Sequence, residues 1–282
     1  MKKNHLLGSV WIAVAILLSV ILALELTAKG SSHNLGKWFS GSFKGNNSIE
    51  NGSAVSSQQN LFAADGIKHV KAELNNISLE VSRSADSDIH LDFLNGAEEK
   101  CTLSNSNGRI RVSQKKLMNG NKGRILIKLP ASYSGNLWVE SNSASVNVAG
   151  VNLSEFDVEI VSGTIKIDGC EISSLEAEAV SGSIDADGAF EQISAESVSG
   201  SIKIASSKAL KRKTKFESVS GSVSLNIPAS SDYSLQYESM SGRFNDKITN
   251  ASGSKEGSSV NGNGSVPISV STVSGSIQIQ SY

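Results

Sequence analysis

The chain has 282 residues in which Lys plus Arg (26) nearly balances Asp plus Glu (27), so it lacks the global basic field that holds nucleic acid by counterion release. Its 25 Gly, 3 Pro and sparse aromatics (3 Trp, 4 Tyr, 8 Phe) suit many short strands and turns and exclude a collagen-like or Pro-rich chain. Cys101 and Cys170 match no metal or redox spacing; two unpaired thiols is the simpler reading, a disulfide the other.

From Leu6 to Leu24 the sequence "LLGSVWIAVAILLSVILAL" carries no charge. At about 1.5 Å per helical residue it can cross a hydrocarbon core of about 30 Å. This predicts a transmembrane helix over 6–26 that acts as an uncleaved signal anchor, because Glu25, Leu26 and Thr27 stand where a cleavage site wants small residues. Lys2 and Lys3 place residues 1–5 in the cytoplasm by the positive-inside rule, and the rest of the chain outside. The expectation is a single-pass protein of the cell membrane with an extracellular C-terminal domain. Residues 27–62, rich in Gly, Ser and Asn and without a hydrophobic period, read as a flexible stalk with a reach of about 30–36 Å.

Beyond the stalk one phrase recurs: "IVSGTIKI", "AVSGSIDA", "SVSGSIKI", "SVSGSVSL", "TVSGSIQI". Its glycines, Gly163, Gly182, Gly200, Gly221 and Gly275, together with Gly242 of "SMSGRF", set a period near 20 residues. Apolar residues alternate on both sides of each corner, as in Phe156, Val158 and Ile160, then Ile165 and Ile167. Alternation of period two means strands with one buried face. No unit buries enough apolar area alone, whereas stacked units create a continuous core. The fold class is therefore all-β: a single-stranded β-solenoid over 63–282 with coils of about 20 residues, preceded by one N-terminal transmembrane helix. Residues 63–140, with strand patterns such as "IKHVKAELNNISLEV", form the first coils and N-terminal cap, a separate small β-domain being the alternative. The Ser-Gly corners are expected to use the tolerance of Gly for positive φ and the capping hydroxyl of Ser. The long interval from Gly242 to Gly275, containing "TNASGSKEGSSVNGNGS", is expected to be a loop extruded from one coil.

Chemistry-bearing motifs are few. His69 and His90 read as exposed strand-face residues, since neither has a cysteine or histidine at ligand spacing. No G-x-S-x-G elbow and no phosphate-binding loop occurs, so neither a hydrolase nucleophile nor a nucleotide is expected. No catalytic residue and no cofactor is assigned. Asp185 and Asp187 of "SIDADGAF" are weak metal candidates, with a plain Asp-Gly turn the simpler reading. Aligning the corners reveals Glu159, Glu178, Glu196, Glu217 and Glu238, each four residues before its glycine, with Ser271 in the last unit. In register they form a ladder of carboxylates about 4.8 Å apart, which could attract cations or a basic ligand; a solvated acidic face is the simpler alternative. A second patch, Lys208, Lys211, Arg212, Lys213 and Lys215 in "SSKALKRKTKF", crowds one expected turn and could meet anionic wall polymer or lipid headgroups, or stay solvated.

The order "IKHVKAELNNISLEV", "NGRIRVSQ", "ILIKLPASYSGNLWVES" and the serial "VSGSI" corners resembles the bacterial "putative adhesin" family of unknown function, in particular its membrane-anchored LiaG-like members. The resemblance covers about Ala63 to Tyr282. It implies a β-helical surface ectodomain with an adhesive or envelope-associated role linked to envelope stress response, and it brings no catalytic residues. The expected partners are the membrane and a cell-wall polymer or another envelope protein, with no nucleic acid and no nucleotide. The competing readings are an accessory subunit of a membrane signalling complex and a polysaccharide-active β-helix enzyme.

Overall fold

In a computed structural model of the chain, residues 60–118 and 123–282 are described. The expected cytoplasmic segment, the transmembrane helix and the stalk up to residue 59 lie outside the described residues. The last stalk positions do not belong to a stalk: Leu61 and Phe62 lie in strand β1 (Leu61–Ala63), which pairs antiparallel with β4 (Asp88–Leu94).

The described residues are all-β apart from one 3-10 turn at Glu98–Lys100. Each coil lays one strand on each of two facing walls, and alternate residues of both strands point into the space between them. On the first wall β2 (His69–Leu74), β8 (Asn136–Ser143) and the continuous strand β10 (Asn152–Ser199) lie parallel, Glu155 pairing with Asn136 and His69 with Asn136 on its other edge. On the second wall β3 (Ser78–Arg83), β9 (Val146–Ala149) and β10 follow the same order. β10 is long because it winds through successive coils without breaking its ladder. It hands on to β11 (Ile202–Ser206) on the second wall and β12 (Thr214–Ser220) on the first. Buried residues such as Val139, Phe156, Val158, Ala195 and Phe216 on one wall, and Val148, Ile165, Ile184, Ile202 and Val223 on the other, form a single apolar core. Residues 63–140 contribute to the same core, so the separate N-terminal β-domain is not formed.

The coil order at both ends departs from sequential stacking. At the C-terminal end, β18 (Val266–Ser274) pairs on one edge with β12 and on the other with β14 (Tyr233–Ser241). Likewise β19 (Ile277–Ser281) lies between β13 (Val223–Ile227) and β15 (Phe244–Asp246). The last coil in sequence is therefore inserted between the two that precede it. At the other end the first coil, β2 and β3, lies between β8 and β9 on one side and β6 (Arg109–Gln114) and β7 (Arg124–Leu129) on the other. In both places the coil nearest a terminus has its two edges hydrogen-bonded.

The outermost coils run backwards. β4 pairs antiparallel with β7, and β5 (Cys101–Ser106) with β6. At the opposite end β16 (Ala251–Gly253) and β17 (Glu256–Asn261) run antiparallel to β15 and β14. The segment expected as an extruded loop is thus a two-stranded cap. A buried carboxylate fastens it: Asp246 accepts hydrogen bonds from Tyr233 Oη (2.8 Å), Ser259 Oγ (2.7 Å) and the Ile248 and Thr249 amides (3.0 and 3.2 Å).

Each corner glycine has a steric reason. A Cβ on Gly200 would lie 2.0 Å from the carbonyl oxygen of Gly182, and one on Gly221 2.0 Å from that of Gly200. The same contact runs from Gly163 and Gly182 through to Gly275 and Gly242, in the spatial order of the coils. Gly182 and Gly242 do not have positive φ, so close approach of stacked backbones, more than turn conformation, requires the residue. Nor do the inward hydroxyls beside the corners act as caps throughout: Ser197 Oγ reaches the Gly182 carbonyl at 3.3 Å, whereas those of Ser141, Ser218, Ser239 and Thr272 have no partner among the described residues.

Candidate acidic wall

The outward positions of the first wall form columns, because parallel in-register strands place equivalent residues about 4.8 Å apart. Glu73 pairs with Glu140, Glu140 with Glu159, and Glu196 with Glu217. The glycine contacts carry the same register through β10 and set Glu178 between Glu159 and Glu196. Four of the five sequence-predicted glutamates, Glu159, Glu178, Glu196 and Glu217, therefore stand in one unbroken column. The fifth does not adjoin them: Ser271 of the inserted coil pairs with Glu217 on one side and Glu238 on the other. The column extends instead towards the N-terminal coils, through Glu140 and Glu73.

Two lysines bracket it. Lys71 sits 2.8 Å from Glu140 and 3.1 Å from Glu73, which also takes Arg111 at 2.6 Å. Lys215 sits 2.8 Å from Glu196 and 3.1 Å from Glu217. Between the lysines, Asp157 and Glu176 of the neighbouring column join Glu159 and Glu178, and none of these four has an ion-pair partner among the described residues. Packing removes water from Asp157, Glu159 and Glu178, which are half-buried, while Glu176 stays exposed. Burial first, then the charges of Glu176, Glu155 and Glu140, pushes Asp157 up to about 7. Burial, then Asp157, Glu140 and Glu176, does the same to Glu159, to about 7. Burial, then Glu159, Glu196 and Glu176, pushes Glu178 up to about 8. At Glu73 burial acts in the same direction, but Arg111 and Lys71 outweigh it and hold the carboxyl below its ordinary range. The wall thus has ion-paired margins, compensated at Glu73 but not at Glu217, where burial and the charge of Glu196 outweigh Lys215 and keep the carboxyl above its ordinary range, and a centre without ion pairs. Such a centre can take up protons, and it attracts positive charge, although no three of its carboxyls are grouped to hold a single metal ion.

Glu140, Asp157, Glu176 and the two lysines escaped the corner alignment. Glu140 stands four residues before Ala144, which occupies the glycine position: its carbonyl oxygen is 2.3 Å from where a Gly163 Cβ would lie. Extending the alternation of "NLWVESNSASV" upstream, without requiring a glycine, would have found it.

The remaining candidates separate. Lys215 lies in β12 on the acidic wall, not in the basic turn. Lys208 pairs with Glu171, Lys211 with Glu191 at 2.6 Å and Arg212 with Glu191 at 3.5 Å, so much of that turn's charge is neutralised locally. Asp185 and Asp187 are exposed within β10, paired with Lys203 and Ala205 of β11, and the Asp-Gly step is no strand-ending turn. Asp187 accepts a hydrogen bond from Tyr282 Oη at 3.2 Å. Among the described residues no group of three or more His, Cys, Asp and Glu side chains is placed to hold a metal ion. His90 pairs with Asp86 at 2.8 Å, and Ser84 Oγ donates to the same carboxylate at 2.8 Å. The carboxylate stands between hydroxyl and imidazole, so the histidine does not reach the serine as a base. His69 is half-buried and stacks on Trp138, 4.9 Å between centroids. Cys101 and Cys170 are both free thiols.

No curated protein matches the sequence. Solved structures resemble it at low identity: a "putative cell adhesion protein" from Clostridium sporogenes (14% identity, 79% of this chain and 97% of that one, TM-score 0.40). Another is a "putative adhesin" from Bacteroides fragilis (10% identity, 78% and 94%, TM-score 0.43). A third is a "putative lipid binding protein" from Parabacteroides distasonis (14% identity, 77% and 92%, TM-score 0.31). A family model, Toastrack DUF4097, matches residues 66–280. That span covers all the parallel coils of both walls, and the chain belongs to the Toastrack DUF4097 family.

Proposed function

We propose that the protein is a non-catalytic, adhesin-like binding module, anchored in the cell membrane by residues 6–26, whose extracellular acidic wall engages cations or a basic partner at the envelope. The observation that carries this reading is the group Asp157, Glu159 and Glu178, half-buried and without ion pairs between Lys71 and Lys215, with the exposed Glu176 beside them. Holding such a group together costs electrostatic free energy that a bound cation would offset. The charge-free stretch from Leu6 to Leu24 supports the anchor, and the LiaG-like resemblance supports an envelope-associated role. The test uses the full chain in lipid nanodiscs, titrated calorimetrically with calcium and with an oligolysine peptide. Saturable binding of either, weakened about tenfold or more in the Glu159→Gln/Glu178→Gln variant, is expected. Binding should also strengthen from about pH 6 to about pH 9 as the carboxyls ionise. Failure of both probes to bind, or unchanged binding by the variant, contradicts the reading.

A further inference from the structure

Away from the acidic centre, beside the N-terminal coils, a cleft of about 720 Å³ is lined by residues 63–69, 87–88, 132–136 and Ser154. That volume lies within the range of small-molecule sites. Its floor is fixed by backbone hydrogen bonds: the Lys68 amide donates to the Gly108 carbonyl (2.8 Å), Asn136 to Lys68 (2.8 Å) and Ser154 to Gly135 (3.1 Å). Tyr133 Oη donates to the Asn136 carbonyl at 2.9 Å. Gly135 lets these segments close up, since a Cβ there would lie 2.4 Å from the Lys68 carbonyl oxygen and 2.6 Å from Tyr133 Oη.

The chemistry lining this rigid floor is uncommitted. Asp65, Lys68 and Asp88 have no ion-pair or side-chain hydrogen-bond partner among the described residues. Asn136 commits its amide nitrogen to Glu155 at 2.6 Å, which leaves its amide oxygen free to accept. His69 Nδ1 is shielded from solvent without a partner, while the ring is held by stacking on Trp138. Burial, then the charge of Arg109, lowers the His69 pKa and favours the neutral imidazole, and with Nδ1 shielded it is Nε2 that can meet a ligand, as donor or acceptor according to the tautomer.

Ligand classes can be eliminated against this lining. An apolar ligand would meet few apolar side chains, chiefly Ala63, Ala64 and Ile67. An anion would face two carboxylates against a single lysine. A bare metal ion would need Asp65, Asp88 and His69 grouped around one point, and they are not so placed. A neutral polyhydroxylated molecule matches scattered single donors and acceptors, with carboxylates accepting from adjacent hydroxyls.

We propose that this cleft binds a neutral saccharide, held by Asp65, Asp88, Lys68, His69 and the Asn136 side-chain oxygen. The site adjoins the acidic wall through Asn136, whose partner Glu155 also acts on Asp157, but none of the wall's central carboxylates lines it. The test is saturation-transfer NMR and calorimetry on the full chain in nanodiscs, with glucose, galactose, mannose and N-acetylglucosamine as probes and inorganic phosphate for comparison. At least one sugar should bind saturably in the millimolar range, weakened about tenfold or more by Asp65→Asn with Asp88→Asn and by Lys68→Ala. The Glu159→Gln/Glu178→Gln variant should bind the sugar unchanged. Circular dichroism and thermal melts should match the parent for each cleft variant, because Asp65, Lys68 and Asp88 have no partners to lose. The proposal is overturned if no probe sugar binds up to tens of millimolar, if phosphate binds instead, or if correctly folded cleft variants bind as the parent does.

Discussion

Gly200 shows how a single atom decides the pitch of a wall. Its hydrogen lies where a methyl group would meet the Gly182 carbonyl, and that carbonyl is backbone with little room to yield. Gly200→Ala is expected to destabilise the chain by about 1–3 kcal/mol through forced separation of coils, on top of the backbone strain that its φ of +150° also imposes on alanine. At Gly150, φ is +64° but nothing lies within 4 Å, so alanine meets only the left-handed strain of about 1–2 kcal/mol. Thermal melts of both variants check this; an equal or smaller loss at Gly200 would mean that close approach is not what its glycine serves. The repeated glycine was legible as a corner, but its reason was not, because a contact to the coil beneath leaves no trace in local sequence. Ala144 makes the same point from the other side. It stands in the glycine column at the end of the run, and by losing the marker it concealed Glu140 from any alignment built on glycine.

At the scale of the strand, alternation identified the coils and their inward faces: Phe156, Val158, Ile165 and Ile167 are buried as their spacing required. It could not identify which coil lies against which. β13, β15 and β19 present nearly identical alternations, so any of them can extend the ladder of another without exposing apolar surface. What selects the order is the antiparallel cap. β16 and β17 need β15 and β14 as an outer edge, and Asp246 joins Tyr233, Ser259 and the turn amides so that this edge cannot receive another coil. The terminal coil then fills the remaining gap, with both of its edges paired. Cysteine cross-linking tests this order in a chain whose two native cysteines are replaced by alanine. Ser224 pairs directly with Gln278, and Gln278 with Asn245. The pair Ser224→Cys/Gln278→Cys should oxidise readily, because neighbouring Cα atoms about 4.8 Å apart lie within disulfide reach. Ser224→Cys/Asn245→Cys, two rows apart, should stay reduced; the reverse pattern would restore sequential stacking.

For the molecule as a whole, near-neutral net charge conceals a segregated surface. The basic side chains Arg111, Lys71 and Lys215 stand at the margins of the first wall and pair with Glu73, Glu140, Glu196 and Glu217, while Asp157, Glu159, Glu176 and Glu178 between them have no ion pair among the described residues. The candidate site was partly legible: fixed spacing to the corner supplied four members of the column, while the order of the end coils removed Glu238 and register with unmarked coils added Glu140 and Glu73. Folding raises the pKa of the central group, from 4.5 to about 8 for Glu178. The folded chain therefore holds protons that the unfolded chain has released, and stability falls as pH rises through that window. Glu178→Gln should recover about 1–2 kcal/mol above pH 8 after allowance for partial exposure, and little at pH 4. The most direct test of the uncompensated centre is to follow the side-chain carboxyl carbons of Asp157, Glu159 and Glu178 by NMR in the full chain, from about pH 3 to about pH 10. Midpoints near 7, 7 and 8 are expected. Titration of all three near pH 4, as for independent solvated carboxylates, would contradict the coupled acidic wall.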